Sequence, residues 1–159
     1  ITTLSESRRD RWRGETIGLV MQDFHLFEGL SALDNILLPA RLARAASRET
    51  ESRARELLDT VGLSRPGQKV ETMSRGEMQR VAVARALVRA PAVIIADEPT
   101  ASLDSESGAQ VADLIVRLAA REKATLIVVS HDLSLIGRFE NRIRLEGGRI
   151  TPEDTQVAA

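Results

Sequence analysis

Apolar positions along this chain change their period several times, and each change predicts an element. Residues 17–22 begin apolar and partly β-branched and end on Gln22, the pattern of a strand that runs out at a polar residue. Ser31 then opens a helical stretch over about residues 32–46, in which Pro39 predicts a kink or break. A second helix is expected over 48–61, with Ala54, Leu57, Leu58 and Val61 on one face and Gly62 at its C-terminus. Pro66 and Gly67 mark residues 62–73 as loop. Ser74 followed by Glu77 has the spacing of a capping box at the head of a helix ending near Arg89.

Residues 92–96 form an unbroken apolar run that ends on Asp97 and Glu98, and such runs suit a central strand covered on both faces. A long helix is expected over 105–122, a second buried-type strand over 125–129 ending at Ser130 and His131, and a short helix over 132–137. Residues 143–145 and 149–150, joined by Gly147 and Gly148, read as a hairpin. The polar residues 151–159 are expected to fray. Strand–helix alternation implies an α/β fold with a mostly parallel sheet, and the helix-rich block at 31–89 is inserted between two of its strands.

Composition narrows the function classes. The 159 residues are 43% hydrophobic, enough for one core and a single domain. Lys and Arg number 22 against 23 Asp and Glu, a net charge of -1, which suggests neither a nucleic-acid binder nor a polybasic membrane tether. Aromatic residues make up 3%, too few for a base-stacking platform. There is no cysteine, which excludes disulfides and thiolate metal sites. Apolar runs fall well short of the roughly 20 residues of a spanning helix, so work at a membrane would go through a partner. Residues 1–9 carry neither a signal core nor a cleavage motif, and a chain opening on Ile1 is expected to begin partway into a larger one.

In open parallel sheets ligands bind beyond the carboxyl ends of the strands, and the predicted strands here end on Gln22, on Asp97-Glu98 and on Ser130-His131. Two adjacent acids there are costly unless a cation or ligand compensates them. Metal-assisted phosphoryl transfer fits: Asp97 would hold the water shell of Mg²⁺, Glu98 would polarise an attacking water, Gln22 could ligate Mg²⁺ through its amide oxygen, and His131 could donate to a terminal phosphate. Ser74, Arg75, Gly76 and Glu77 open a helix, and free N–H groups at a helix N-terminus make an anion site. Each has a plainer reading taken alone: a cap or surface turn for Asp97-Glu98, a solvated strand end for Gln22, a satisfied loop residue for His131, an ordinary capped helix at Ser74. Only the combination favours the chemistry.

Taken together the motifs resemble the ABC transporter ATPase family. Residues 20–24 around Gln22 resemble its Q-loop, and residues 73–87 its signature motif and following helix. Residues 93–100 are similar to Walker B with the catalytic glutamate, 101–104 to the D-loop ending on Asp104, and 130–132 to the switch histidine. The resemblance covers nearly the whole chain in the family's order. It implies a P-loop NTPase-type sheet with an inserted helical subdomain at about 31–89, a catalytic core at 1–30 and 90–150, and a tail at 151–159. It also implies ATP and Mg²⁺ as ligands and a head-to-tail dimer with a second nucleotide-binding domain, in which Ser74, Arg75, Gly76, Glu77 and Asp104 meet nucleotide and the signature acts in trans. The helical block would dock on membrane-spanning permease subunits at the cytoplasmic face, with no nucleic acid involved. Residues 96–100 and 33–39 are similar to exporters of the lipoprotein-release and macrolide-efflux type.

The departures carry expectations of their own. No Gly-rich phosphate loop (Walker A) occurs in these residues; it and the first strands of the sheet belong upstream in the family. The residues given would then bind ATP poorly, be inactive alone, and expose an edge and apolar surface. Arg75 replaces a usual glycine and Glu77 a usual glutamine, while Ala101-Ser102 replaces a Gly-Asn pair. The charge of Arg75 could help a phosphate site or its bulk could hinder one. The alternative function is a truncated, non-hydrolysing partner that supplies only the signature face. A chromosome-maintenance ATPase is disfavoured, because only about fifty residues without sustained heptads separate Gln22 from the signature.

Overall fold

Three short strands pair in parallel in the order β1-β2-β3: β1 (Ile17–Val20), β2 (Val93–Asp97) and β3 (Thr125–Val129). The computed structural model describes residues 2–156, with side chains as far as Thr151. The chain forms two compact units, Ile1–Val129 and Ser130–Ala159. The first holds the parallel sheet and five helices: α1 (Glu6–Thr16), α2 (Ala32–Leu42), α3 (Arg48–Thr60), α4 (Arg75–Leu87) and α5 (Ser105–Glu122). The second holds the short helix α6 (Leu133–Ile136) and an antiparallel pair, β4 (Arg142–Glu146) and β5 (Arg149–Gln156).

Period-2 alternation decides which side of the sheet is dry. Val20, Ile94 and Ala96 point into a core with Val83 and Leu87 of α4 and Ile115 and Leu118 of α5. The opposite face is open: Leu19, Ile127 and Val129 are 46%, 48% and 53% exposed. The apolar run at 92–96 was expected to be covered on both faces; helices of this unit cover one. Gly18 sets how closely α4 sits on the sheet, since a Cβ there would stand 2.3 Å from the carbonyl oxygen of Ala86. Any larger residue would push the helix off the strand.

Helix ends follow their caps. Ser31, Ser47, Ser74 and Asp104 each accept an N–H of the first turn. Gly62 takes a left-handed φ of 74° after α3, and Leu63 N–H reaches back to Leu58. Helix α2 departs from expectation: it runs unbroken through Pro39 and stops at Leu42 rather than near Ala46. A proline withdraws only its own N–H, here the donor that would face Asn35, and a left-handed Arg44 then closes the helix with Ala45 N–H on the Ala40 carbonyl. The loop expected at 62–73 contains a 3-10 turn, Val70–Thr72, and a bridge from Ser31 to Lys69. Helix α1 is absent from the sequence reading because it buries no residue and so leaves no apolar period. Gly147 and Gly148, at φ 55° and 77°, make the turn of the terminal hairpin, and β5 stays paired as far as Gln156 where fraying was expected.

Asn35 is fully buried and ties the segment after β1 to α2. Its Oδ1 accepts the Phe27 N–H at 2.8 Å, and its Nδ2 donates to the carbonyls of Phe27 and Ser31, both at 3.1 Å. Asn35→Ala strands these groups and is expected to cost about 1–3 kcal/mol, read as a lower midpoint in urea unfolding.

Candidate nucleotide site

The carboxyl ends of β1 and β2 bring three of the candidate residues to one end of the sheet. Val20 pairs with Ala96 and Asp97 with Val129, so Gln22 and the Asp97-Glu98 pair leave the sheet at the same end. Asp97 is exposed and Glu98 half-buried. Glu98 has a φ of 44°, a left-handed conformation that is uncommon and strained for a residue with a Cβ. Its N–H donates to the Val129 carbonyl at 2.9 Å and its carbonyl accepts from Ala101 at 3.2 Å, which holds that strain in place.

The segment carrying Gln22 is strained as well. Phe24 and His25 both have positive φ, 58° and 46°. Arg85 of α4 holds this bend through its fork, with Nη2–H to the Phe24 carbonyl at 2.6 Å and Nη1–H to the His25 carbonyl at 2.5 Å. Burial draws the Arg85 pKa down. Gln22 is exposed, and its carbonyl accepts the Ser102 hydroxyl at 3.1 Å.

Helix α4 opens at the same turn. Buried Gln79 donates to the Pro99 carbonyl at 2.7 Å, directly after Glu98. Ser74 and Glu77 form a full capping box: the Ser74 hydroxyl accepts Glu77 N–H at 3.2 Å, and the Glu77 carboxylate accepts Ser74 N–H at 2.9 Å. The first intrahelical bond runs from Met78 N–H to the Ser74 carbonyl, which leaves the Arg75 and Gly76 amides without a helical acceptor. A Cβ on Gly76 would meet Ser107 at 3.5–3.6 Å, an ordinary contact, so packing inside this chain does not require the glycine. The Arg75 side chain turns to its own chain: Nε–H donates to the Ser102 carbonyl at 2.8 Å, and the guanidinium lies 5.2 Å from the Phe24 ring centre. Asp104 caps α5 by accepting Ser107 N–H at 2.9 Å, which holds its carboxyl below the usual range.

His131 lies in the second unit, exposed, at the head of α6. Beside it the Ser130 hydroxyl accepts Asp132 N–H at 3.1 Å, and Asp132 caps α6 through Ser134. The contacts of Ser134 hold Asp132 below the ordinary carboxylate range. Among the described residues no three His, Cys, Asp or Glu side chains gather into a metal cage. Asp97 and Gln22 are two hard oxygen donors, and Mg²⁺ takes few protein ligands and leaves the rest to water and phosphate, so these residues suit that ion. Sequence reasoning missed Arg85, Gln79 and Asn35; their signal is a polar residue inside an otherwise apolar helix face.

Glu77 supplies a pH test. The Ser74 amide is the main cause of its lowered pKa, burial opposes it, and the Ser74 hydroxyl, Arg65 and Arg80 add to it. A lowered folded pKa gives stability that is present above the ordinary carboxylate range and lost as pH falls through the folded value. Glu77→Ala is expected to cost about 0.5–2 kcal/mol at neutral pH. Urea unfolding should show the gap to the parent closing below about pH 4.

Comparison with known proteins identifies the family. The family profile described as ABC transporter matches residues 2–101. The chain is 44% identical over 154 residues to the lipoprotein-releasing system ATP-binding protein LolD of Hydrogenovibrio crunogenus, covering 96% of this chain and 67% of that protein. It is 40% identical over 148 residues to LolD 1 of Rhodopirellula baltica, covering 92% and 65%. The dimeric post-hydrolysis structure of the ATP-binding cassette MJ0796 bound to ADP and Pi superposes with a TM-score of 0.79 at 36% identity, over 93% of this chain and 66% of that one. The chain thus spans about two thirds of the length of these relatives. A parallel α/β sheet with paired acids at its carboxyl end, matched at this identity over nearly all of its length, makes the chain a member of the ABC transporter family, within its ATP-binding cassette.

Proposed function

We propose that the complete protein is the Mg²⁺-dependent, ATP-hydrolysing subunit of an ABC transporter of the lipoprotein-releasing type. The observation that carries this reading is Glu98, held left-handed at the carboxyl end of the middle strand, next to Asp97 and at the same end as Gln22. Bound Mg²⁺ would neutralise charge on the phosphate oxygens during transfer. Asp97 would hold the water shell of that ion and Gln22 would offer it an amide oxygen. Glu98 accepts a proton from, and orients, the attacking water; the hydrogen bonds to Val129 and Ala101 that hold its left-handed backbone fix the point from which its carboxylate extends. His131 donates to the terminal phosphate. Ser74 with the amides of Arg75 and Gly76 meets nucleotide held by a second cassette, with Glu77 fixing the cap and Asp104 the turn beside it. Gly76 supports this arrangement, because its missing side chain answers no packing need of its own chain.

The helical block at about 31–89 docks on permease subunits, and the chain sits at the cytoplasmic face of the membrane through them. No helix among the described residues is long and apolar enough to cross a membrane. The phosphates of the chain's own nucleotide are held by a Gly-rich loop that these residues do not contain, so residues 1–159 alone turn over no ATP. The relatives favour the hydrolytic reading over a partner-only role.

The test uses the complete protein. Glu98→Gln keeps the shape and removes the proton acceptor, and turnover should fall at least about a hundredfold while ATP binding, read by nucleotide-dependent fluorescence, stays within about twofold. Unchanged hydrolysis in that variant rejects the mechanism.

A further inference from the structure

We propose that Arg75 is a positioning residue that fastens the loop carrying Gln22 to the turn that follows Glu98. Its link to turnover rests on the ATPase reading above; the clamp itself does not. Arg75 is the first residue of α4. Its Nε–H reaches the Ser102 carbonyl at 2.8 Å, and its guanidinium carbon lies over the Phe24 ring, 5.2 Å from the ring centre. Ser102 completes the circuit, because its hydroxyl donates to the Gln22 carbonyl at 3.1 Å. Three segments remote in sequence therefore close on one another through one side chain.

The chemistry suits a clamp. A guanidinium is flat, permanently charged and able to stack and donate at once. Here both capacities are used inside the chain, one on each loop. Phe24 is buried and held left-handed by Arg85, so the ring beneath the guanidinium is a fixed platform. The turn bearing Ser102 is fastened at its other end by Gln79 on the Pro99 carbonyl. A lysine could keep the charge near the ring but offers no Nε–H fork, and a glycine could make neither contact. The departures from the family pattern at 75 and 102 thus meet in one network.

Amide hydrogen exchange on the complete protein tests the clamp without reference to activity. In Arg75→Ala, exchange should rise about threefold to tenfold in both residues 22–27 and residues 99–104, the size expected for losing a cation–π contact and a hydrogen bond at an exposed site. Residues 79–87, the buried body of α4, should stay protected. Arg75→Lys should loosen 99–104 more than 22–27. A rise in one segment alone, in neither, or along the whole of α4 overturns the clamp.

Steady-state hydrolysis then reads its consequence. In Arg75→Ala, kcat should fall about threefold to tenfold with KM for ATP within about twofold, and adding Phe24→Leu should cause little further loss, because both changes break one contact. Loosened segments with an unchanged kcat would overturn the positioning role and leave a purely structural tie. A parent protein without turnover would instead reject the ATPase reading, with the exchange data still deciding the clamp.

Discussion

The packing of α4 onto β1 is the constraint on which the rest of the site depends. Gly18 allows the Ala86 carbonyl to approach the strand more closely than any side chain would permit. That approach seats an apolar stripe of α4, Val83 and Leu87 among it, against Val20 and Ile94. Once seated, the helix holds its neighbours by polar side chains at fixed spacing. Arg85 holds Phe24 and His25, Gln79 holds Pro99, and Arg75 holds Ser102. Hydrophobic burial supplies the non-directional attraction, and these bonds turn it into position.

Those bonds matter because the loops they hold are strained. Left-handed backbone at Phe24, His25 and Glu98 costs on the order of 1–3 kcal/mol at each residue. Each of the three is secured by hydrogen bonds to structure outside its own turn: two carbonyls to Arg85, one N–H to Val129. Strain of this kind persists only where the surroundings over-determine it. It lies beside Gln22 and at Glu98, the residues to which the proposed chemistry assigns ion and water.

The α/β class and the parallel strands were legible because buried strands and capped helices write their periods into the sequence. Ser31, Ser74 and Gly62 announced helix ends by residue type alone. Asp97 and Glu98 were legible as a strand-end pair because an apolar run stopped on two acids. Other features had no local signal. Helix α1 buries nothing, so nothing in its pattern repeats. Pro39 reads as a break, yet one missing N–H in the last turns of α2 is tolerated when a left-handed cap follows. The direction of the Arg75 side chain depends on Phe24 and Ser102, residues that only the fold brings to it.

The capping box at Ser74 takes up donors that an anion at the same helix end would otherwise find free. A helix start offers a few unsatisfied N–H groups, and any of them taken by the chain is lost to a ligand. Here the Ser74 hydroxyl takes the Glu77 amide, and the Glu77 carboxylate takes the amide of Ser74. The carboxylate also puts negative charge at the end of the helix that would otherwise attract an anion, with Arg65 at 3.2 Å to offset it. What α4 still offers an incoming phosphate is the pair of amides at Arg75 and Gly76. With the Arg75 guanidinium drawn toward Phe24 and Ser102, an anion arriving at this helix end under the proposed reading would be met by backbone rather than by side-chain charge, and backbone needs the close approach that a glycine at 76 permits.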